Sequence, residues 1–314
     1  MTFTSRPTDR SAARRGLRRE VPSTAAILAD EQDFTAMRRY RTFPFDDHDS
    51  YLRQMETLLR GLTAQGVVTT VGLFDPVAYE KYCARLTLDP DRPDSRSRYT
   101  AEAARTGTTL LYEGGPLTRL LPLLLEDADR RAHADRASAL LARAGTCEEC
   151  GDDIARTAFT RATHAIRQLL TALGEGTHHL VCSLAAGEPP LLAVLHSTAA
   201  DGAGLQLAEH ETLVFCTVLA AGFALRTPGG IVSRTTTGPD TAESTDRATD
   251  SATSRDTVRG WSLRGSWLRP LSAAEVFTAY CTDADTGEPI PPEHGVDYAS
   301  GLPLTPPPES HDHR

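Results

Sequence analysis

Lysine is almost absent from this chain of 314 residues, and arginine carries nearly all of the positive charge. The single lysine, Lys81, lies between Glu80 and Tyr82 without a glycine-rich loop around it. A Schiff-base enzyme and a phosphate-binding P-loop both need a lysine at a defined position. The sequence therefore excludes these two classes of protein.

A positive field and a long apolar run are also lacking. The formal net charge is −9, whereas proteins that coat nucleic acid or lie on anionic membranes need an excess of positive charge. The longest apolar stretch, 213–225, is shorter than the roughly 20 residues that span a bilayer. We expect neither a membrane nor a nucleic-acid partner, and we expect 213–225 to be a buried helix that requires a partner surface.

A secretory leader is not recognisable, because the start of the chain is polar and rich in arginine. The six cysteines are spread along the chain and do not form the dense pattern of a secreted disulfide framework. We therefore expect reduced cysteines in a cytoplasmic protein.

The order of helical and strand patterns predicts an α/β or α+β fold. Patterns of both kinds alternate between residues 47 and 145, which is typical of a parallel α/β layer. The predicted strands of this layer are the apolar segments 67–73 and 108–112. The segments between them are a helix that begins at Asp75, a polar loop over 89–98 and a short helix over 101–105.

The second block, residues 152–236, has a different order. It begins with a helix whose apolar stripe ends at Gly174. Two strands follow, 180–184 and 192–196, and the short connection between them predicts a β-hairpin. The apolar helix 208–226 and a strand at 231–236 complete a helix–hairpin–helix–strand unit.

The remaining segments lack a strong apolar periodicity. We predict a disordered basic tail over 1–25, a disordered linker over 237–257, an extension with further strands or a short helix over 258–300, and a disordered tail over 302–314.

Part of the second block resembles the closing half of a GAF-type sensory domain. The resemblance lies in the strands Leu180–Leu184 and Pro190–Leu195, and in the acidic-capped, alanine-rich helix from Glu209 to Leu225. The helix 153–173 is similar to the entry helix of such a domain, but the middle of that fold has no counterpart here. The resemblance covers about a quarter of the chain and implies a signalling or dimerising role without chemistry.

The segment 147–151 contains a C-x-x-C-G motif formed by Cys147 and Cys150. Such a turn can present two thiolates to one zinc ion, but a structural zinc site needs four ligands. No second C-x-x-C motif occurs, so the other ligands would have to come together in the folded chain. A redox pair and a plain reduced loop are the alternatives.

The ends of the two predicted strands in the first block form another candidate site. If these strands are parallel neighbours, Asp75 and Glu113 lie together at their carboxyl edge, where open α/β sheets bind ligands. Two carboxylates there could hold a divalent cation. The structural alternative is that Asp75 only caps a helix.

Groups for a phosphate are present near the same edge. Gly114 and Gly115 precede a helix and could expose backbone amides to an anion. Arg96 and Arg98 lie on the predicted intervening loop and could reach a phosphate. The structural alternative is a glycine turn with solvent-exposed arginines, and no dinucleotide-binding fingerprint supports the ligand hypothesis.

A hairpin could also bring the histidine pair 178–179 close to His196. A nucleophile would still be needed, and Ser183 and Ser197 are strand residues without a G-x-S-x-G elbow. We therefore interpret His196 as an ordinary strand histidine.

Two functional hypotheses follow from these observations. The first is a non-enzymatic regulatory or ligand-binding protein that forms a homo-oligomer or binds a protein partner through its apolar helix. The alternative is a metal-dependent enzyme that acts on a phosphorylated or nucleotide-like substrate, with Asp75 and Glu113 around the cation. A zinc-stabilised scaffold is a third hypothesis, which depends on further ligands reaching Cys147 and Cys150.

Overall fold

The computed structural model describes residues 23–200, 204–238, 255–283 and 286–307. Most of the predicted basic tail, most of the predicted linker 237–257 and the last part of the tail 302–314 lie outside these ranges. Two tail boundaries need correction. Residues 23–25 belong to a strand, and Leu302 and Leu304 pack against the core of the C-terminal half.

The chain divides into two compact units, residues 1–129 and 130–314. Both units combine helices with a sheet, which confirms the predicted α/β or α+β class. Within the described ranges, no helix combines the length and the apolar character that crossing a bilayer requires.

The first unit contains a small sheet and the helices that follow its strands. The strands are β1 (Ser23–Ile27), β2 (Thr69–Leu73) and β3 (Thr109–Leu111). The helices are α1 (Glu31–Met37), α2 (His48–Ala64), α3 (Pro76–Leu86) and α4 (Pro93–Thr106), and α5 (Leu117–Leu141) begins in this unit.

The sheet of the first unit has the order β1-β2-β3 and is mixed. β1 runs parallel to β2, with Ala25 opposite Val71. β3 runs antiparallel to β2, with Leu110 opposite Val71. The predicted parallel pairing of 67–73 with 108–112 is therefore wrong. The parallel partner of β2 is β1, which is short, made mostly of small residues and placed directly after an arginine-rich segment.

Helix α4 includes residues 93–98 of the loop predicted over 89–98 and all of the short helix predicted over 101–105, and only 89–92 lie outside a helix or strand. It begins at Pro93, whose fixed φ suits the first helical turn. Asp94 adds a negative charge to that turn, where the helix dipole favours it. The polar composition hid this helix, because only a narrow face with Ser95 and Tyr99 is buried.

Aromatic side chains dominate the core of the first unit. Phe74, Tyr79 and Tyr99 are buried. The ring centroid of Phe74 lies 5.2 Å from that of Tyr79 and 5.0 Å from that of Tyr99. Aromatic pairs at this spacing contribute about 0.5–1.5 kcal/mol beyond the burial of their area, so these rings add to the aliphatic residues that are buried in the same core.

The second unit is built on a larger sheet with the order β10-β8-β7-β4-β5-β6, in which β9 also pairs with β8. Its strands are β4 (Gly176–Leu184), β5 (Leu191–Ala200), β6 (Gly204–Leu207), β7 (Gly229–Thr237), β8 (Arg255–Arg264), β9 (Trp267–Pro270) and β10 (Val296–Tyr298). Its helices are α6 (Ile154–Leu173), α7 (Glu209–Leu225) and α8 (Ala273–Tyr280).

The predicted hairpin is confirmed by the antiparallel pairing of β4 with β5. Leu180, Cys182 and Leu184 alternate along β4 and are fully buried in one core with residues of α6 and α7. We call this the inner face of the sheet. The residues between them point to the opposite face, which we call the outer face.

The apolar helix α7 finds its partner surface inside the second unit. Phe215, Leu219 and Phe223 are buried in the same core as residues of α6 and the sheet. Leu213 and Leu225 are exposed near its two ends. The predicted need for an outside partner was wrong, because the helix is covered by its own unit, and α7 therefore gives no support to self-association.

Residues 258–300 are part of the second unit and not an extension to it. β8 continues the sheet beside β7, with Trp261 opposite Ile231. The Trp261 side chain is almost fully buried, and its indole N–H donates to the Leu302 carbonyl at 2.8 Å. The long insertion between β7 and β8 concealed this pairing in the sequence.

A substitution at Gly230 on β7 tests how closely β8 packs against this strand. A Cβ atom at this position would lie 2.4 Å from the Trp261 carbonyl oxygen. We expect Gly230→Ala to lower the free energy of unfolding of the second unit by about 1–3 kcal/mol, because backbone must shift to relieve the overlap. Tryptophan fluorescence during urea unfolding reports this unit, since it contains both tryptophans, Trp261 and Trp267.

The control is Gly238→Ala, where nothing lies within 4 Å of the added Cβ. This change should alter the free energy of unfolding by less than about 0.5 kcal/mol. Equal effects at the two glycines would contradict the packing described here.

Candidate functional site

A small cavity lies at the carboxyl ends of the parallel strands β1 and β2 in the first unit. Its volume is about 200 Å³. Ala26 and Leu28 line it from the end of β1, and Phe74 lines it from the residue after β2. The other lining residues are mostly apolar or aromatic: Met37, Phe43, Pro44, Phe45, Tyr51, Met55, Arg96 and Thr100. The cavity is therefore an apolar pocket with very few polar groups.

Arg96 supplies the charge in this pocket. Its Nη1 donates to the Thr42 hydroxyl at 3.0 Å, and its Nη2 donates to the Thr42 carbonyl at 2.8 Å. The Thr42 amide donates to the Asp91 carboxylate at 2.9 Å. These bonds hold the segment after α1 against α4, so the guanidinium and the pocket wall are fixed before any ligand arrives.

Two tyrosine hydroxyls form hydrogen bonds with backbone groups at the ends of β1 and β2. The Leu28 amide donates to the Tyr51 hydroxyl at 3.2 Å, and the Tyr99 hydroxyl is hydrogen-bonded to the Asp75 backbone. Burial is the main cause that raises the pKa of each tyrosine to about 12, although these backbone bonds lower it. Both hydroxyls therefore stay protonated at neutral pH, and Tyr51 offers a neutral hydroxyl at the pocket wall.

Asp75 acts as the N-cap of α3. One carboxylate oxygen accepts from the amides of Val77 and Ala78 at 2.8 and 2.9 Å. Glu113 lies far from it, because the Tyr112 amide pairs with Thr69 at the opposite end of β2. Asp75 follows Thr69 by six positions, along β2 and the extended residues after it, which is roughly 20 Å at ~3.3 Å per residue. The predicted shared cation site of Asp75 and Glu113 is therefore wrong, because β3 is antiparallel to β2.

The other predicted anion-binding residues are also separated. Gly114 has a φ of +91° and forms a turn with Gly115 at the same end of the sheet as Glu113. Arg98 is exposed on α4, whereas Arg96 lines the cavity two residues earlier. Only Arg96 of the predicted set lies in the pocket. Arg96 lies on helix α4 and not on a loop, and the helix sets the direction of its side chain toward the pocket.

The cysteine motif in the second unit forms a tight turn. The Gly151 amide donates to the Cys147 carbonyl at 2.9 Å, and the Asp152 amide donates to the Cys150 sulfur at 3.4 Å. The Asp152 amide lowers the pKa of Cys150, but partial desolvation and the side chains of Asp152 and Cys147 outweigh it, so this pKa is raised. Among the described residues, no group of three or more metal-ligating side chains is assembled. Zinc at Cys147 and Cys150 stays a prediction.

A polar cluster on the outer face of the second unit joins β4, β5 and α7. The Nδ1 atom of His179 lies 2.8 Å from Nε2 of His196. The Oε2 atom of Glu211 lies 3.1 Å from Nδ1 of His196 and accepts the His196 amide at 2.9 Å. We call these three residues the His–His–Glu relay.

The protons of the relay follow from the carboxylate. An ionised carboxylate only accepts hydrogen bonds, so His196 donates from Nδ1 to Glu211 and accepts at Nε2. His179 must then donate from Nδ1, which leaves a lone pair on its Nε2. One carboxylate therefore sets the tautomer of both rings.

The surroundings of the relay lower the pKa values of Glu211 and of His179. Partial burial raises the pKa of Glu211, but the bonds from His196 and the charges of His196 and Arg130 outweigh it and lower this pKa. Burial and the charges of His196 and Arg234 lower the pKa of His179, and Glu211 offsets this only in part. Near neutral pH the relay thus contains an ionised Glu211 carboxylate, and the surroundings of His179 favour its uncharged imidazole.

A shallow cavity of about 390 Å³, lined by polar and apolar groups, borders the relay at His196 and Glu211. His196 and Glu211 belong to its wall, together with Thr177, Ser197, Thr198, Gln206, Leu207 and Ala208. The sequence predicted that a hairpin could bring the histidines together, but it did not indicate that the Glu211 carboxylate would contact them. The hairpin alone indicates the histidine pair, whereas the position of Glu211 depends on how α7 returns along β5.

The pH dependence of the free energy of unfolding tests whether the folded protein holds His178 and His179 in their neutral form. Burial is the largest cause that lowers the pKa of both His178 and His179 in the folded second unit. Unfolded histidines titrate near 6.5, so below that pH the unfolded chain binds more protons than the folded one. We expect the free energy of unfolding to fall as the pH is lowered from 7 through about 6.5.

Urea unfolding followed by tryptophan fluorescence between pH 5.5 and 8 measures this effect. His179→Gln should make the dependence shallower, because one of the two depressed groups is removed. A stability that stays constant over this range in the parent protein would show that the histidines are not held neutral.

The cap role of Asp75 gives a separate prediction. We expect Asp75→Ala to lower the free energy of unfolding of the first unit by about 0.5–2 kcal/mol, because two amides of α3 lose their acceptor. Near-ultraviolet circular dichroism of the tyrosine-rich core measures it. Glu113→Ala is the matched control at an exposed turn and should have little effect, and a cost at Glu113 as large as that at Asp75 would contradict the assignment.

Comparisons with known proteins leave the activity open. No curated protein and no solved structure matches this chain. Residues 12–115 match a family model described as a domain of unknown function, DUF8829. The matched segment includes β1, β2, α4 and all of the residues that line the apolar pocket.

Proposed function

We propose that this chain is a regulatory protein whose first unit binds a small ligand. The observation that carries the proposal is the apolar pocket at the carboxyl ends of β1 and β2, with Arg96 fixed in its wall. Open α/β sheets bind ligands at this edge, and ligand pockets are typically apolar with a few fixed polar groups.

The lining selects the chemistry of the ligand. Phe43, Phe45 and Phe74 offer ring surfaces to a flat apolar body. Arg96 offers a guanidinium, which binds carboxylates strongly because its hydrogen bonds are charge-assisted. The ligand is therefore a small planar molecule that carries one anionic group, and the volume of about 200 Å³ limits it to roughly one ring.

The alternative of a metal-dependent enzyme required Asp75 and Glu113 to bind one cation together. These residues lie at opposite ends of β2, so this alternative is no longer supported. A cytoplasmic location remains part of the proposal, on the grounds of the cysteine pattern. The proposal also includes association with a second copy or with a protein partner, because a ligand-binding regulator commonly acts through such an association. No surface is assigned to it here.

Native mass spectrometry of the purified protein is the first test, because it detects a ligand that is retained. A titration with benzoate and with benzamide, which has the same shape without the charge, then tests the chemistry. We expect benzoate to bind more tightly, and Arg96→Gln to weaken benzoate by about tenfold or more, since bonds to a charged group contribute ~1.5–3 kcal/mol.

Arg98→Gln is the matched control, because it removes the same charge from the exposed side of α4. It should leave benzoate binding unchanged. Thr100→Leu should block both probes by filling the pocket. Equal losses from Arg96→Gln and Arg98→Gln, or probe binding that survives Thr100→Leu, would contradict the proposed site.

A further inference from the structure

The second unit contains a proton path that ligand binding in the first unit does not use. It runs from the Glu211 carboxylate through both ring nitrogens of His196 to Nδ1 of His179, with spacings of 3.1 and 2.8 Å. His179 is exposed, and its Nε2 lies on the side of the ring away from His196. The free end of the path is therefore an accessible lone pair.

We propose that His179 is a catalytic nucleophile on the outer face of the second unit, and that its substrates are small uncharged acyl compounds such as esters. His196 and Glu211 are positioning residues that fix its tautomer and accept its proton. The same logic operates wherever a carboxylate orients a histidine that in turn activates a nucleophile.

Nucleophilic imidazole must be neutral, and the surroundings of His179 ensure this. Arg234 lies opposite it on β7 and disfavours a second positive charge. Arg234 itself donates to Asp256 on β8 at 2.7 Å and to Glu293 at 2.9 Å. Because these carboxylates balance the guanidinium, we expect the face to suit an uncharged substrate better than an anion.

The cavity of about 390 Å³ lies at the other end of the relay, because His196 and Glu211 line it and His179 does not. Thr177 precedes His179 by two residues and so lies on the same face of β4. Thr198 and Gln206 add polar groups, and Leu207 and Ala208 add apolar ones. A substrate therefore meets Nε2 of His179 on the exposed outer face of the sheet and not inside this cavity.

The reaction balances without a cofactor. Nε2 of His179 attacks the carbonyl carbon, the bond to the leaving oxygen breaks, and the leaving group departs as an anion. The Nδ1 proton passes to Nε2 of His196, whose imidazolium is paired with Glu211. Water then cleaves the acyl–nitrogen bond, returns one hydrogen to the ring and releases the carboxylic acid. Overall one ester and one water give a carboxylate, the leaving-group anion and two protons.

p-Nitrophenyl acetate is the probe for this activity, with release of p-nitrophenolate measured between pH 5 and 8. We expect His179→Gln to lower the rate by about tenfold or more, because it removes the attacking nitrogen together with the positioned proton transfer to His196, and such a transfer alone contributes 10²–10⁴-fold in enzymes. His210→Gln removes an exposed histidine next to Glu211 and is the matched control, with an unchanged rate. Acetyl-His179 should be trapped in the parent protein by rapid acid quenching and peptide mapping.

The pH profile separates positioning from mere support of the fold. The rate should rise with pH and level off above the pKa of His179. Glu211 raises this pKa and His196 lowers it, so Glu211→Gln should move the midpoint to lower pH and His196→Gln should move it to higher pH. Both changes should also lower the plateau.

Two results would overturn the proposal. One is a parent rate no greater than that of the same concentration of free imidazole, with no acetyl group on His179. The other is a parent profile whose midpoint stays fixed in both the Glu211→Gln and the His196→Gln variants. Since the first result is read from the unaltered protein, a variant that fails to fold does not affect it, and neither result depends on ligand binding in the first unit.

Discussion

The register between β4 and β5 determines the chemistry available to the second unit. It sets His179 directly opposite His196, and β7 sets Arg234 opposite His179 on its other side. Because side chains alternate between the faces of a strand, a shift by one residue would turn His179 into the core and bring His178 outward. The buried leucines of the hairpin prevent that shift, so the apolar inner face holds the polar outer face in register.

Strand direction has the same importance in the first unit. β1 and β2 are parallel, so their carboxyl ends meet at one edge, and the helices that follow them leave a gap there. β3 is antiparallel and brings Glu113 and Gly114 to the other edge. The pocket thus depends on β1, a strand of five small or apolar residues.

The sequence predicted the parts of the fold that depend on local patterns. The hairpin, the apolar helix α7 and the cap at Asp75 follow from alternation, hydrophobicity and a proline at the first helical turn. Strand partners did not follow, because pairing with β1 is a long-range choice that the composition of β1 does not indicate. Arg96 was predicted to reach a ligand from a loop near Glu113, whereas it lies on helix α4 and lines a pocket that Glu113 does not reach.

Two neighbouring histidines show why the surroundings, and not the residue type, set the function. His178 is fully buried, and its ring nitrogens lie 3.0 Å from the Thr235 hydroxyl and 3.0 Å from the Gly174 carbonyl. Both nitrogens are therefore occupied, and the ring stabilises the fold. His179 uses only one ring nitrogen in its contact with His196, and its other ring nitrogen stays accessible. Burial lowers the pKa of both rings, but the same neutral imidazole is a structural group on the inner face and a reactive one on the outer face.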